Sequence, residues 1–398
     1  MTTASFALFC IALATFALQG AAPAAGDERD AAIQKYRMGA ILVRTRPGAT
    51  VKVTQLSHEF WFGTAISAAA FNDRLDPKVR EQYLSLLKEN FNSAVHENAL
   101  KWPNTERRQG QVSFADADRI LDWCEANGIR MRGHCIFWNV DQHVQNWVKG
   151  LDDAALHQTL ERRAKEVTGR YAGRISEYDV NNEMLHGHYY ETRLGADILP
   201  QMFRWAHEGD PKARLFVNDY DILSGGNVAA YEHQIQQLLD AGAPVGGIGC
   251  QGHFGGQIDV AKVKESLDRL ARFGLPISVT EFDMDTDNEQ EKARMLRELY
   301  TTCFAHPAVD GILMWGFWEG AHWRPKAALW KRDFSPTPSA DAYRDLVFNR
   351  WWTRFEGRAG ADGVCRVPVF LGRHRVEAGG KSVEVDVLKA GGAAEAAL

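Results

Sequence analysis

From Glu59 to Leu346 the chain switches eight times between a short apolar stretch of strand character and a longer stretch of helical period. The strand-like stretches fall at 59–66, 92–102, 130–138, 175–183, 214–221, 247–253, 276–283 and 311–318. The helix-like ones follow at 77–89, 113–126, 152–171, 195–208, 228–241, 258–273, 288–305 and 339–346. Eight strand-then-helix units are the pattern of a closed (β/α)8 barrel, in which each helix returns the chain to start a parallel strand. A doubly wound open sheet is the rival. It rarely needs eight regular units, and no Gly-rich phosphate loop follows the first strand. The expected fold class is therefore α/β, a (β/α)8 TIM barrel over 59–350.

Barrels place their chemistry at the C-terminal ends of the strands. That rule selects Glu97, Asn98, Lys101 and Trp102, then His134 and Trp138, then Asn182 and Glu183. It goes on to Asn218, Asp219 and Tyr220, Gln251 and His253, Glu281 and Asp283, and Trp315 and Trp318. Two strands stand out. ISEYDVNNE (175–183) and PISVTEFD (276–283) each run from apolar residues into a carboxylate. They are the fourth and seventh strands, so Glu183 and Glu281 can meet across part of the barrel mouth. A lone Glu at a strand end is most often solvated or salt-bridged. A pair amid His, Asn, Gln and Trp is harder to dismiss in that way.

Outside the barrel, 41–55 reads as two strands around a Pro-Gly turn. Stretches 364–370, 374–376 and 382–388 read as short strands, and the closing GGAAEAAL as a frayed end. The first pair needs partners, and the last three are the only ones left. A small accessory β-sandwich formed by the N- and C-terminal extensions (26–58 and 351–398) is expected. Its test is backbone pairing between 41–55 and 364–388. The chain is uncharged before Asp27, with an apolar core at 5–18 and small residues at 21–25. Although no Lys or Arg precedes that core, 1–25 reads as a cleaved signal peptide. The run is shorter than the ~20 residues of a membrane span. A secreted or periplasmic protein is expected, with no membrane partner. Cleavage removes Cys10 and leaves Cys124, Cys135, Cys250, Cys303 and Cys365, which cannot all pair. Cys135 and Cys250 fall within expected strands, as small buried hydrophobes. No C-x-x-C or zinc spacing exists. A net charge of −5 gives no basic excess for nucleic acid. A monomer is expected. The twelve Trp suit a large core, and they also suit sugar rings, whose C–H faces stack on indoles.

Two facing carboxyls in such surroundings suit glycoside hydrolysis. One protonates the leaving oxygen, and the other works at the anomeric carbon. A separation of about 5–5.5 Å gives retention of configuration and about 6.5–9.5 Å inversion. Seven ordered runs then resemble glycoside hydrolase family 10, the endo-1,4-β-xylanases, over about 59–347. They are HENALKW (96–102), RGHCIFW (132–138), DVNNE (179–183), VNDYD (217–221), GIGCQGH (247–253), VTEFD (279–283) and MWGFWEGAHWRP (314–325). WNVDQHVQNWV and GFWEGAHWRPKAALW look closer to plant-type members.

The resemblance implies a retaining endo-1,4-β-xylanase that hydrolyses internal bonds of xylan by double displacement, with no cofactor and no metal. It implies that Glu183 is the general acid/base and Glu281 the nucleophile. His253 and Asp283 would form a relay that orients Glu281 and sets the His tautomer. Asn182 and Gln251 would hold the sugar 2-hydroxyl and the nucleophile. Glu97, Asn98, Lys101 and His134 would bind glycone hydroxyls. Trp138, Trp315 and Trp323 would wall the site against the hydroxymethyl arm of glucose, and Tyr220 would stack on the leaving side. For these roles Glu183 must start protonated, raised by burial and by the other carboxylate, while donors keep Glu281 ionised.

Two positions depart from the family pattern. Asn139 stands where His often follows the Trp, and Asn181 where a small or apolar residue is usual. His186 and His188 after the fourth strand raise a metal site. A metal-dependent barrel wants ligands at several strand ends, and only His134 and His253 are so placed. The remaining alternatives are a barrel glycosidase for another β-1,4-glycan and a catalytically silent carbohydrate-binding barrel. The silent barrel is disfavoured because both Glu and the His253–Asp283 support are present.

Overall fold

The structure, a computed structural model, describes residues 25–398. The expected signal peptide, Cys10 included, lies outside the described residues but for its last position. The described residues begin with a helix, Ala25–Arg37, followed by β1 (Met38–Arg44) and β2 (Thr50–His58). The N-terminal extension is thus not all β. Arg37 ties the end of this helix down by donating to the carbonyls of Phe304, His306 and Val309.

The barrel follows. Its strands include β3 (Trp61–Ile66), β4 (Ser93–His96), β5 (Arg130–Gly133) and, after the two-residue β6 (Phe137–Trp138), β7 (Glu177–Asn182). Then come β8 (Arg214–Asp219), β9 (Gly247–Cys250), the short β10 (His253–Phe254), β11 (Ile277–Met284) and β12 (Val309–Met314). Parallel pairing runs β3-β4-β5-β7-β8-β9-β11-β12 and returns to β3, where Met314 pairs with Thr64. The sheet is closed. β6 and β10 prolong the third and sixth strands along β7 and β11.

Two strands expected as continuous are broken. The second ends at His96; 97–101 is a loop that leads into the short helix Trp102–Thr105, with Pro103 in its first turn. The third is interrupted between Gly133 and Phe137, so Cys135 lies in a connection and not in a strand, although it is buried. At Gly133 a Cβ would meet the Tyr178 ring at 2.2 Å, so only glycine lets β5 approach β7 there.

Helices start where caps allow. Asp76 accepts from the Lys78 amide ahead of Pro77–Asn90, Asp152 from Ala155 ahead of Asp153–Arg170, and Asn288 from Glu291 ahead of Glu289–Ala305. Their apolar faces meet the outward residues of the strands in one large core. The barrel interior divides into two. Trp61, Ala65, Val95, Leu313 and Trp315, from β3, β4 and the end of β12, form a separate apolar cluster. Opposite them, β5, β7 and β8 contribute the charged residues Arg132, Glu177, Asp179 and Arg214. Arg132 is fully buried; it donates to Glu177 at 2.8 Å and to Asp179 at 2.5 Å, and its guanidinium lies over the Phe216 ring. Glu177 also accepts from Arg214, which reaches Asp310. Each charge has a partner, which a buried charge requires.

The chain ends in β13 (Arg354–Arg358), β14 (Val364–Phe370), β15 (Gly372–Ala378), β16 (Lys381–Val387) and β17 (Ala393–Ala397). β1 pairs antiparallel with β14 and parallel with β17, while β2 lies between β13 and β15. The two ends of the chain are therefore hydrogen-bonded together. A three-stranded and a four-stranded sheet enclose Ile41, Val43, Val51, Val53, Val367, Val369 and Val376. All seven are fully buried, and each contributes about 1.5–3 kcal/mol over being exposed. The terminal GGAAEAAL is not frayed. Gly391 donates to Met38 O and β17 covers the open edge of β1, so pairing overrides the weak strand preference of alanine. The sandwich meets the barrel where its strands begin: Arg130, first in β5, donates to the carbonyls of His58 and Glu59. The opposite end is left open.

All five described cysteines are buried and free. Among the described residues no helix is long and apolar enough to cross a membrane, and no group of His, Cys, Asp and Glu has the arrangement of a metal site.

Candidate active site

At the open end a cavity of about 520 Å³ is lined by Glu97, Asn98, Lys101, His134, Trp138, Asn182, Glu183, Tyr220, Gln251, His253, Glu281, Trp315 and Trp323. Asp283 stands behind His253, with Nδ1 at 3.0 Å from Asp283 Oδ2. The residues that the resemblance assigned to the site are thus in one place, whereas Trp102 and Trp318 of the strand-end list are buried in the core.

The two carboxyls arrive by different routes. Glu281 belongs to β11, inside the seventh strand, and is buried. Glu183 is one residue past β7, with φ at +60°, and its amide donates to Asn218 O. A non-glycine residue in the left-handed region carries strain that the surroundings must hold. Here the turn swings the Glu183 carboxyl into the cavity.

Their partners differ. Glu183 accepts from Trp138 Nε1 at 2.8 Å and from Gln251 Nε2 at 3.1 Å. Burial pushes its carboxyl above the usual range, and the nearby charges of Glu281 and Asp219 add to that; the two donors pull the other way and lose. Glu281 accepts from Asn218 Nδ2 at 2.9 Å, lies 3.3 Å from His253 Nε2 and 4.0 Å from His134 Nδ1. Burial alone would push it up as well. The charges of His134 and His253, with Lys101 behind them, outweigh burial and hold it below the usual range.

Three amides join the carboxyls. Gln251 Nε2 touches Glu183 and, at 3.5 Å, Asn182 Oδ1; Asn218 Nδ2 touches Asn182 Oδ1 at 2.8 Å and Glu281. Of the expectation that Asn182 and Gln251 hold the sugar 2-hydroxyl and the nucleophile, the contact with the nucleophile is corrected by this. Gln251 serves Glu183, and the amide on Glu281 is Asn218, a strand-end residue to which no role had been given. Its signal was present in VNDYD, at the end of the fifth strand. Thr280 Oγ1 donates to Asn218 Oδ1 at 2.6 Å, which fixes the amide with its NH2 toward Glu281.

The expected His tautomer is also revised. Burial would lower the pKa of His253, but Asp283 and Glu281 outweigh it and raise it to about 9. At neutral pH the ring is an imidazolium, and both nitrogens face carboxylates. Asp283 accepts further from Trp323 Nε1 at 2.8 Å and from Arg324 at 3.0 Å. Arg324 also lines the cavity and was not foreseen. His134 is buried, with Nδ1 2.9 Å from Asp179 Oδ2 and its ring edge-on to Trp315. Lys101 Nζ contacts Asn98 Oδ1 at 3.0 Å and lies over the Trp138 ring. Trp138 itself stacks on His143.

The two histidines that raised a metal go separate ways. His186 Nδ1 lies 2.6 Å from Asp219 and its ring stacks under Tyr220, while His188 is exposed and pairs with Glu191. Asn139 and Asn181 are buried away from the carboxyls, against Gly187 and Met202.

Comparison with known proteins agrees with this arrangement. The profile of glycosyl hydrolase family 10 matches residues 53–346. The chain is 43% identical over 276 residues to endo-1,4-beta-xylanase 1 of Arabidopsis thaliana, covering 68% of this chain and 28% of that one. It is 38% identical over 328 residues to anti-sigma-I factor RsgI6 of Acetivibrio thermocellus, covering 82% and 42%. Similar solved structures include xylanase 10B from Thermotoga petrophila in complex with xylobiose, with a TM-score of 0.67, 25% identity and coverage of 73% and 95%. Native xylanase 10B from Thermotoga maritima gives a TM-score of 0.67, 26% identity and coverage of 73% and 96%. The chain spans less than half the length of these two curated relatives.

Proposed function

Because the chain belongs to glycosyl hydrolase family 10, we propose that it is a retaining endo-1,4-β-xylanase. The observation that carries this reading is one cavity with two carboxyls whose pKa values are shifted in opposite directions, Glu183 up and Glu281 down. Glu183, protonated, gives its proton to the glycosidic oxygen as Glu281 attacks the anomeric carbon. The C–O bond breaks, the aglycone leaves, and a glycosyl ester on Glu281 remains. Glu183, now ionised, takes a proton from water; that water attacks the same carbon and frees Glu281. Asn218 and the His253 imidazolium keep Glu281 charged and aimed. Trp138, Trp315 and Trp323 offer stacking surfaces for the sugar rings, and their bulk disfavours a hydroxymethyl arm.

The relatives named as xylanases support the substrate class, as does the neighbour holding xylobiose. The test is reducing-sugar release from xylan, carboxymethylcellulose and mixed-linkage glucan, with NMR of the first-formed anomer. Preference for xylan with a β-anomeric product is expected. Equal action on the glucans would move the substrate to another β-1,4-glycan, and an α-anomer would replace double displacement by inversion. We further place the protein outside the cytoplasm, on the uncharged apolar run before Asp27, and take it to act as a monomer. Cell fractionation and light scattering test these two points.

A further inference from the structure

A second cavity, of about 350 Å³, lies between the segments that follow β3 and β4. It shares Glu97 and Asn98 with the catalytic cleft as a common wall. A polysaccharide that lies over the two carboxyls and leaves past Glu97 and Asn98 therefore enters it. The chemistry of the two cavities differs. The cleft has three indoles, which read the C–H faces of rings. No aromatic residue lines the second cavity; Arg74, Arg107, Asn104 and Asp116 do.

Two cations, Arg74 and Arg107, and two carboxylates, Glu97 and Asp116, line it, and Glu97 already faces the Lys101 cation on the cleft side. Asp116 is already engaged, one oxygen by Arg119 and the other by Asn72, each at 3.2 Å. The carboxylates beside the two cavity arginines in sequence are taken as well. Asp73 is held by Arg80 at 2.8 Å, and Glu106 by Arg162 at 2.7 Å. Arg74 and Arg107 are exposed. Among the described residues neither has a carboxylate partner. Two free guanidinium forks on one polar cavity match a carboxylate, which each can bind through paired N–H groups.

We propose that this cavity binds a uronic acid branch carried by the polysaccharide in the cleft, with Arg74 and Arg107 as its cationic partners. The proposal rests on the xylan reading above. A neutral sugar would gain nothing from the two charges. Both arginines are exposed, so the contribution of each pair is modest and is screened by salt.

The experiment compares kcat/KM of the full chain with that of the double variant Arg74→Ala/Arg107→Ala on three substrates. They are an unbranched β-1,4-xylo-oligosaccharide, a xylan bearing uronic acid branches, and the same xylan with its carboxyls chemically reduced to alcohols. On the charged xylan the double variant is expected to lose about tenfold, with the loss gone at ~1 M salt. On the other two it should match the parent. An equal loss on charged and reduced xylan, or no loss on either, overturns the site. Inhibition of unbranched turnover by free glucuronate, abolished in the variant, would assign the cavity to a free acid and overturn the branch. If the parent cleaves none of the three, the xylan reading itself has failed.

Discussion

Glu183 and Glu281 face the same cavity, and burial pushes both carboxyls up, yet their pKa values end up shifted in opposite directions. The difference lies in the company each keeps. Around Glu183 the nearest charges are negative, Glu281 and Asp219, and its donors are neutral, an indole and an amide. Around Glu281 stand His253, His134 and Lys101. Behind His134 a column of alternating charge runs down the barrel through Asp179, Arg132, Glu177 and Arg214 to Asp310. Carboxyls of one residue type are thus set to acid and nucleophile by what the neighbouring strands bring.

The strongest test removes the charged member. Glu281→Gln keeps the shape and the Asn218 contact but cannot form the ester. Xylan turnover should fall on the order of 10^4-fold or more, while calorimetry still detects xylo-oligosaccharide binding. A near-normal rate would sink the assignment of nucleophile. Removing the other member should cost less and selectively. Glu183→Ala should lose about 10^2–10^4-fold on xylan, with most of that recovered on aryl xylosides whose leaving groups need little protonation. An equal loss on both substrates would break the contrast between the two carboxyls.

The column can be cut away from the cavity. Arg132→Met leaves Glu177 and Asp179 buried with one cation fewer, which should cost about 3–5 kcal/mol in thermal or urea unfolding. It should also touch only one limb of the pH–rate profile. Activity needs Glu281 ionised, so weaker support for its charge raises its pKa, and the acid limb moves to higher pH. The alkaline limb, set by loss of the Glu183 proton, should stay. Movement of both limbs would mean that the column serves the fold alone.

The smallest effect sharpens the other side. Trp138→Phe removes a donor that favours ionised Glu183, so its pKa rises further. The alkaline limb should then extend to higher pH, with the acid limb unmoved and kcat/KM at the optimum changed only a few-fold. An alkaline limb that retreats would show that the indole N–H acts on the protonated form instead.

Much of this was legible in the chain. Eight alternations of period predicted the barrel. The rule that barrels react at strand ends then gathered Glu183, Glu281, His253, Gln251, Trp138 and Trp315 without any contact being known, and the resemblance added Trp323. What escaped was non-local. Asn218 sat in view at a strand end, but its choice of Glu281 over Glu183 depends on Thr280, which turns its amide. Arg324 lies in a loop beyond the last strand, where it lines the cavity and donates to Asp283. Helix 25–37 carries a weak local pattern and is held by carbonyls some 270 residues away in sequence.

The sequence by itself determined the order of the elements, which residues stand at the strand ends, and that two of them are carboxylates. Periodicity and strand-end position are local properties, written in neighbouring residues. Only the tertiary structure decided which carboxyl has its pKa raised and which lowered, which amide touches which oxygen, and that an alanine-rich tail becomes a strand on β1. Each of those depends on burial and on charges delivered from strands far apart in the chain, and no local pattern records what will stand beside a residue once the barrel closes.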